Sequence, residues 1–136
     1  MRTTAIQSLA LGAFALTGCA MQDAPVVQTE RDRAELSRAL ADRSVAGPPL
    51  RCVDLRQVGG NRAIGRDAIV FTQGTRVYLN RPSGDCSALR YGNTLVTRTM
   101  GGELCRGDIA RVVDPVTRTI RGSCSLGEFV PYERTR

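Results

Sequence analysis

The chain has 136 residues, 19 basic and 13 acidic groups, a net charge of +6 and no histidine. The missing histidine excludes Ser-His-Asp and Cys-His catalysis and His-based zinc sites, and the length leaves room for one modest domain with a tether. Three Phe, three Tyr and no Trp imply a small core of Val, Ile and Leu that needs covalent support.

Met1-Arg2-Thr3-Thr4 makes a short positive start, and Ala5 to Leu16 follows as an apolar run broken only by Gln7, Ser8 and Gly12. The run is shorter than the roughly 20 residues that cross a bilayer, and it has the form of a secretory signal peptide over residues 1–18. At its end Leu16-Thr17-Gly18-Cys19 resembles the lipobox of bacterial lipoproteins, in which the cysteine is lipidated and becomes the first residue. Acyl chains, at about 0.8 kcal/mol per buried CH₂, then anchor the protein durably. By the same resemblance Ala20, standing where an aspartate favours inner-membrane retention, places the protein on the outer membrane facing the periplasm. Cleavage after Ala20, at the small-x-small sequence Gly18-Cys19-Ala20, is the alternative and yields a soluble periplasmic protein.

Every basic residue is Arg. In an exported chain, anionic lipid headgroups and envelope polymers replace nucleic acid as the counter-surface for such charge, so no nucleic-acid partner is expected. With Cys19 assigned to lipid, Cys52, Cys86, Cys105 and Cys124 remain, an even number that reads as two disulfides.

Residues 20–29 lack periodicity and include Pro25, which suits a flexible spacer. Glu30 to Arg43 then predicts a short helix, with Thr29 as N-cap and Leu36, Ala39 and Leu40 on one thin apolar face. Residues 19–49 are thus expected to be the lipidated cysteine, a tether and this helix, which docks lightly or stands free. Gly47-Pro48-Pro49 closes the segment.

From residue 50 to 133 the pattern is one of strands and turns, with 134–136 as a tail. Cys52 to Val58 alternates and ends at Gly59-Gly60-Asn61. The clearest hairpin pairs 68–72 with 76–80 across Gln73-Gly74-Thr75, with Val77 and Leu79 on one face. Arg81 to Asp85 reads as a loop. Leu95 to Thr99 forms a further strand that turns at Gly101-Gly102 into Glu103-Leu104-Cys105. Ile109 to Val113 pairs with Thr119 to Cys124 across Asp114-Pro115, and Glu128-Phe129-Val130 closes the domain before Pro131. The fold class is mostly β: a small antiparallel barrel or sandwich of six to seven short strands.

Four cysteines allow three pairings. Centring the last hairpin near residues 116–117 puts Cys124 opposite Ile109, within reach of Cys105 if Arg106-Gly107-Asp108 folds back. That pairing, Cys105–Cys124, leaves Cys52–Cys86 to complete the set.

Four blocks carry a resemblance: C-V-D-L-R at 52–56, V-Y-L-N-R at 77–81, L-C-R-G-D-I at 104–109 and C-S-L-G-E-F-V-P at 124–131. Together they resemble a group of small exported proteobacterial proteins known only as a domain of unknown function, over roughly residues 50–132. The resemblance implies the fold and paired cysteines, and it carries no activity.

No C-x₂₋₄-C pair exists, so neither a zinc site nor a thiol oxidoreductase is expected, and no cofactor is indicated. A possible polar site gathers Glu103, Asp108, Glu128 and Arg106, the carboxylates being the remaining catalytic option. The plainer reading makes Asp108 a turn residue and Glu128 half of a surface ion pair with Arg106 or Arg121. Tyr78, Phe71 and Phe129 suit a core better than a stacking platform. The expected function is therefore a non-enzymatic envelope lipoprotein, tethered to the membrane by lipid and binding another envelope protein or glycan. The alternatives are a periplasmic inhibitor of a hydrolase and a small carboxylate-dependent hydrolase.

Overall fold

Four successive apolar residues, Ala68-Ile69-Val70-Phe71, point alternately to opposite sides of a strand, so burying all four requires cover on both faces. The computed structural model, which describes residues 24–99 and 101–136, supplies that cover. In chain order it contains α1 (Ala24–Ala39), β1 (Arg43–Val45), β2 (Cys52–Asp54), β3 (Gly60–Ile64), β4 (Ala68–Gln73), β5 (Arg76–Asn80) and β6 (Ser83–Asp85). A 3-10 helix (Ser87–Tyr91) leads to β7 (Thr94–Thr97), β8 (Glu103–Cys105), β9 (Ile109–Val113), β10 (Ile120–Ser125) and β11 (Phe129–Arg134). One sheet runs β1-β11-β5-β4-β3, a second runs β6-β10-β9-β7, and β2 pairs with β8 alone. All pairings are antiparallel.

One face of the five-stranded sheet sets Ala63, Ile69, Phe71, Tyr78 and Phe129 against Ala110, Val112 and Cys124 of the four-stranded sheet. This is sandwich packing, and the sheets do not close into a barrel. The Phe71 and Phe129 rings meet edge to face at 5.5 Å, a geometry worth about 0.5–1.5 kcal/mol beyond the burial itself. The opposite face, Ile64, Ala68, Val70, Val77 and Leu79, is covered by Leu36 and Ala39 of α1 and by Leu40 just after it.

The helix is therefore a third layer packed on the sheet, and its bounds differ from expectation. It begins at Ala24, so residues 24–29 are helical where a spacer was expected, and Thr29 lies within the helix instead of capping it. Arg43, the expected last helical residue, opens β1, whose Arg43 pairs with Arg134. The sheet thus starts inside the expected tether and ends inside the expected tail. The physical reason is the second apolar face of the central hairpin, which needs the thin Leu36-Ala39-Leu40 stripe as its cover. At the closest approach, a Cβ on Gly65 (φ +61) would lie 2.5 Å from the Asp32 Cβ, so only glycine fits there. The apolar run, Leu16-Thr17-Gly18-Cys19 and the alternative cut after Ala20 lie outside the described residues. Among the described residues no helix is long and apolar enough to cross a membrane.

Among the described residues the strands number eleven, more than the six or seven expected, because several are only three residues long. The hairpin of β4 and β5 forms as expected. The first expected strand breaks after Asp54, where Gln57 N–H donates to the Asp54 carbonyl at 3.1 Å, and the chain resumes as β3 at Gly60. Ser83–Asp85, expected as loop, pairs with β10. In the last hairpin Cys124 faces Ala110, one residue from the expected Ile109, because a bulge between Ile120 and Gly122 inserts an extra residue. β11 runs straight through Pro131, where the domain was expected to close. Ala46 N–H donates to the Pro131 carbonyl at 2.9 Å. The proline nitrogen faces that same side, at the end of β1, so the ladder between β11 and β5 is left intact.

The disulfides are Cys52–Cys105 and Cys86–Cys124, which corrects the expected Cys52–Cys86 and Cys105–Cys124. The expectation failed because Arg106-Gly107-Asp108 does not return Cys105 to the last hairpin. That turn separates β8 from β9 and delivers β8 to β2, where Cys52 sits directly opposite Cys105. Cys86 and Cys124 are both buried in the core between the sheets.

Asn80 is the one polar side chain among the described residues that is fully buried. It acts as a substitute strand: its Nδ2 donates to the Gly127 carbonyl at 2.8 Å, and Gly127 N–H donates to its Oδ1 at 2.9 Å. Gly127 is required by contact, since a Cβ there would lie 2.3 Å from the Arg81 carbonyl oxygen. Asn80→Ala leaves both Gly127 groups unpaired away from water, and is expected to lower stability by about 1–3 kcal/mol. Urea denaturation checks this; a loss below about 0.5 kcal/mol shows that the bridge is dispensable.

Candidate functional site

The sequence points to Glu103, Arg106, Asp108 and Glu128, and the structure gives Arg106, Asp108 and Glu128 local roles. Asp108 follows Gly107 in a tight turn, and its Oδ2 accepts the Cys105 amide at 2.8 Å while its own amide donates back to the Cys105 carbonyl at 3.1 Å. Arg106 Nη1 donates to Glu128 Oε1 at 2.9 Å, with both side chains about half exposed or more. Glu103 is exposed on β8, opposite Asp54. One Glu103 carboxylate oxygen and the sulfurs of Cys52 and Cys105 lie within 4.8 Å of one another. Both sulfurs are consumed in the disulfide, so neither offers the thiolate that a metal requires. None of these four residues lines the concavities described next. Phe71, Tyr78 and Phe129 are buried, and Tyr78 Oη donates to Gln73 Oε1 at 2.7 Å, so they form core and no stacking platform.

A different face gathers charged and aromatic side chains, where α1 meets the β3–β4 turn and the 3-10 helix. Glu35 and Asp32 stand about one turn apart on α1. Glu35 Oε2 accepts the Gly65 amide at 3.4 Å, and Asp32 Oδ1 lies 3.7 Å from Arg90 Nη1. Asp32 Oδ1 is buried without a hydrogen bond, so its contact with Arg90 is a charge interaction and not a formed bond.

The 3-10 helix that carries Arg90 is held along its length. Cys86 before it is bonded to Cys124 on β10. Asp85 Oδ1 accepts both the Ser87 amide at 3.1 Å and the Ser87 hydroxyl at 2.7 Å. Leu89 is buried in the core, and Leu89 N–H donates to the Cys86 carbonyl at 3.1 Å. Gly92 ends the helix in the left-handed conformation, a position that favours glycine. Asn93 Nδ2 then donates to the Ala88 carbonyl at 2.8 Å. On this fixed turn Tyr91 is 76% exposed, and the Arg90 guanidinium lies 5.8 Å from the ring centroid.

Beside the turn is an open concavity of about 410 Å³, lined by Arg66, Gly84, Asp85, Ser87, Arg90 and Tyr91. Arg66 also borders a groove of about 310 Å³ that reaches Asp32, Arg33, Asp67 and Arg81, in which Arg81 and Asp67 pair at 3.0 Å. The Ser87 hydroxyl, then its amide, and then the nearby charge of Arg66 hold the Asp85 carboxyl below the usual carboxylate range. The shelf therefore combines guanidinium donors, an ionised acceptor and an exposed ring. The Ser87 hydroxyl in it is already engaged by the Asp85 carboxylate.

Arg66, Arg90 and Tyr91 were not singled out from the sequence. The signal was a five-residue segment bracketed by Cys86 and Gly92, with an aromatic at its end. No family model, curated protein or solved structure matches the chain.

The two local roles differ in weight. Asp108→Ala removes a turn-locking bond and is expected to lower stability by about 0.5–1.5 kcal/mol in urea unfolding, whereas Arg106→Ala, in an exposed pair, is expected to change it by less than about 1 kcal/mol. A larger loss for Arg106→Ala than for Asp108→Ala contradicts this assignment.

Proposed function

We propose that the protein is a lipid-anchored, non-enzymatic domain of the bacterial envelope that binds another envelope component, and that it belongs to the group of small exported proteins whose four blocks it resembles. The observation that carries this reading is the division of the five cysteines. Four pair as two disulfides, the state that persists in oxidising compartments. The fifth, Cys19, stands at the end of the apolar run in Leu16-Thr17-Gly18-Cys19.

The two parts have complementary roles. The lipid on Cys19 holds the protein to the outer membrane, facing the periplasm, and the chain from α1 onward presents a sandwich whose outer surface is available to a partner. The absence of histidine and the structural roles of Asp108 and Glu128 support recognition over catalysis.

Cys19→Ser is expected to move the protein from the membrane fraction to the soluble periplasmic fraction, and affinity capture from detergent-solubilised envelopes is expected to retain a stoichiometric glycan or protein. Continued sedimentation of Cys19→Ser with membranes overturns the anchor, and the absence of any retained component overturns the binding role.

A further inference from the structure

We infer that the shelf beside the 3-10 helix binds a saccharide bearing a carboxylate, with Tyr91 stacked on a sugar ring, Arg66 and Arg90 on the carboxylate, and Asp85 accepting from a sugar hydroxyl. The inference rests on the reading of the chain as an envelope binding domain and names the ligand class for it.

Rigidity is the first argument. The turn that presents Tyr91 is fixed by a disulfide, a buried leucine, two contacts to Asp85 and the Asn93 side chain. Binding geometry held this way loses little entropy when the ligand arrives. Tyr91 itself contributes nothing to the core, being 76% exposed. An aromatic ring fixed in water offers a flat apolar surface with a polar tip, which suits the C–H face of a sugar and the hydroxyls around its edge.

Charge is the second. Among the described residues Arg66 forms no ion pair within 4 Å, and it is exposed at the mouth of the concavity. Its planar guanidinium is suited to a two-point contact with a carboxylate. Arg90 stays oriented by Asp32 on one side and its own neighbour's ring on the other. Asp85 uses Oδ1 for both Ser87 contacts, and among the described residues no hydrogen bond reaches its Oδ2. That oxygen is free to accept a hydroxyl proton.

Size and lining are the third. A concavity of about 410 Å³ lies within the range of about 300–1,000 Å³ typical of small-ligand sites. Its polar and charged lining lacks the apolar pockets in which protein interfaces seat their anchors, which favours a sugar over a peptide.

The test titrates the detergent-solubilised full chain with trigalacturonate, following the backbone amides of Ser87 to Gly92 by NMR. Parallel titrations use the neutral trisaccharide maltotriose, inorganic phosphate and an acidic hexapeptide. Trigalacturonate is expected to shift the shelf amides with a Kd on the order of 1 mM or tighter. Tyr91→Ala and Arg66→Gln, both at exposed positions, are each expected to weaken binding by roughly tenfold with the remaining spectrum unchanged. No shift with trigalacturonate overturns the inference, and if envelope capture still succeeds, the binding role survives with its site elsewhere. Equal binding of maltotriose overturns the part played by the carboxylate, and equal binding of phosphate overturns the part played by the sugar. Tighter binding of the hexapeptide assigns the shelf to a protein partner instead.

Discussion

Two strands of three residues cannot hold a register by themselves, yet β2 and β8 pair alone, outside both sheets. They do so because Cys52 and Cys105 face one another across the ribbon and are joined. Val53 and Leu104, beside the two cysteines, are then turned into the core between the sheets. The second disulfide has the same role at another place, tying the start of the 3-10 helix to β10. Linking residues 53 and 38 positions apart restricts the unfolded chain, and bonds of this kind contribute about 2–4 kcal/mol each. For a domain with no tryptophan and few aromatics, that is a large share of the total.

With the ribbon and the turn fixed, the remaining cover comes from packing. The five-stranded sheet buries one face against the smaller sheet and the other against α1, which explains the uninterrupted Ala68-Ile69-Val70-Phe71. Asn80 closes the same sheet by pairing with the Gly127 backbone where no strand is available. The shelf follows from these constraints. Asp32 on α1, Arg66 in the β3–β4 turn and Arg90 on the 3-10 helix come together only because helix, sheet and disulfide-held turn meet at one corner.

How much of this was legible in the sequence depended on whether the signal was local. The β4–β5 hairpin was plain, since dense β-branched and aromatic residues flank a glycine-bearing turn. The two faces of β5 were plain for the same reason. The mostly β class, the even cysteine count, the plain role of Asp108 and the Arg106–Glu128 pair were also readable. What failed depended on distant partners. Ser83-Gly84-Asp85 has no strand pattern and becomes β6 only because β10 lies beside it. The β9–β10 register slipped by one because a bulge near Arg121 leaves no mark in the pattern. Pro131 looked like a stop, and it is tolerated because its nitrogen faces the end of β1 and not β5. α1 looked like a loose tether element because its stripe is thin, and the sheet face that needs that stripe is assembled from β3, β4, β5 and β11. The shelf was hidden for the same reason, its residues coming from three separate stretches.

The cysteine pairing decides the account, since the ribbon, the core contact of Leu104 and the fixed Tyr91 turn all depend on it. Arginines separate every pair of these cysteines in the chain, so digestion at arginine under non-reducing conditions places each on its own peptide. Mass spectrometry of that digest should find the Cys52 peptide joined to that of Cys105 and the Cys86 peptide joined to that of Cys124. Finding Cys52 with Cys86 and Cys105 with Cys124, or four free thiols in the exported protein, would contradict it.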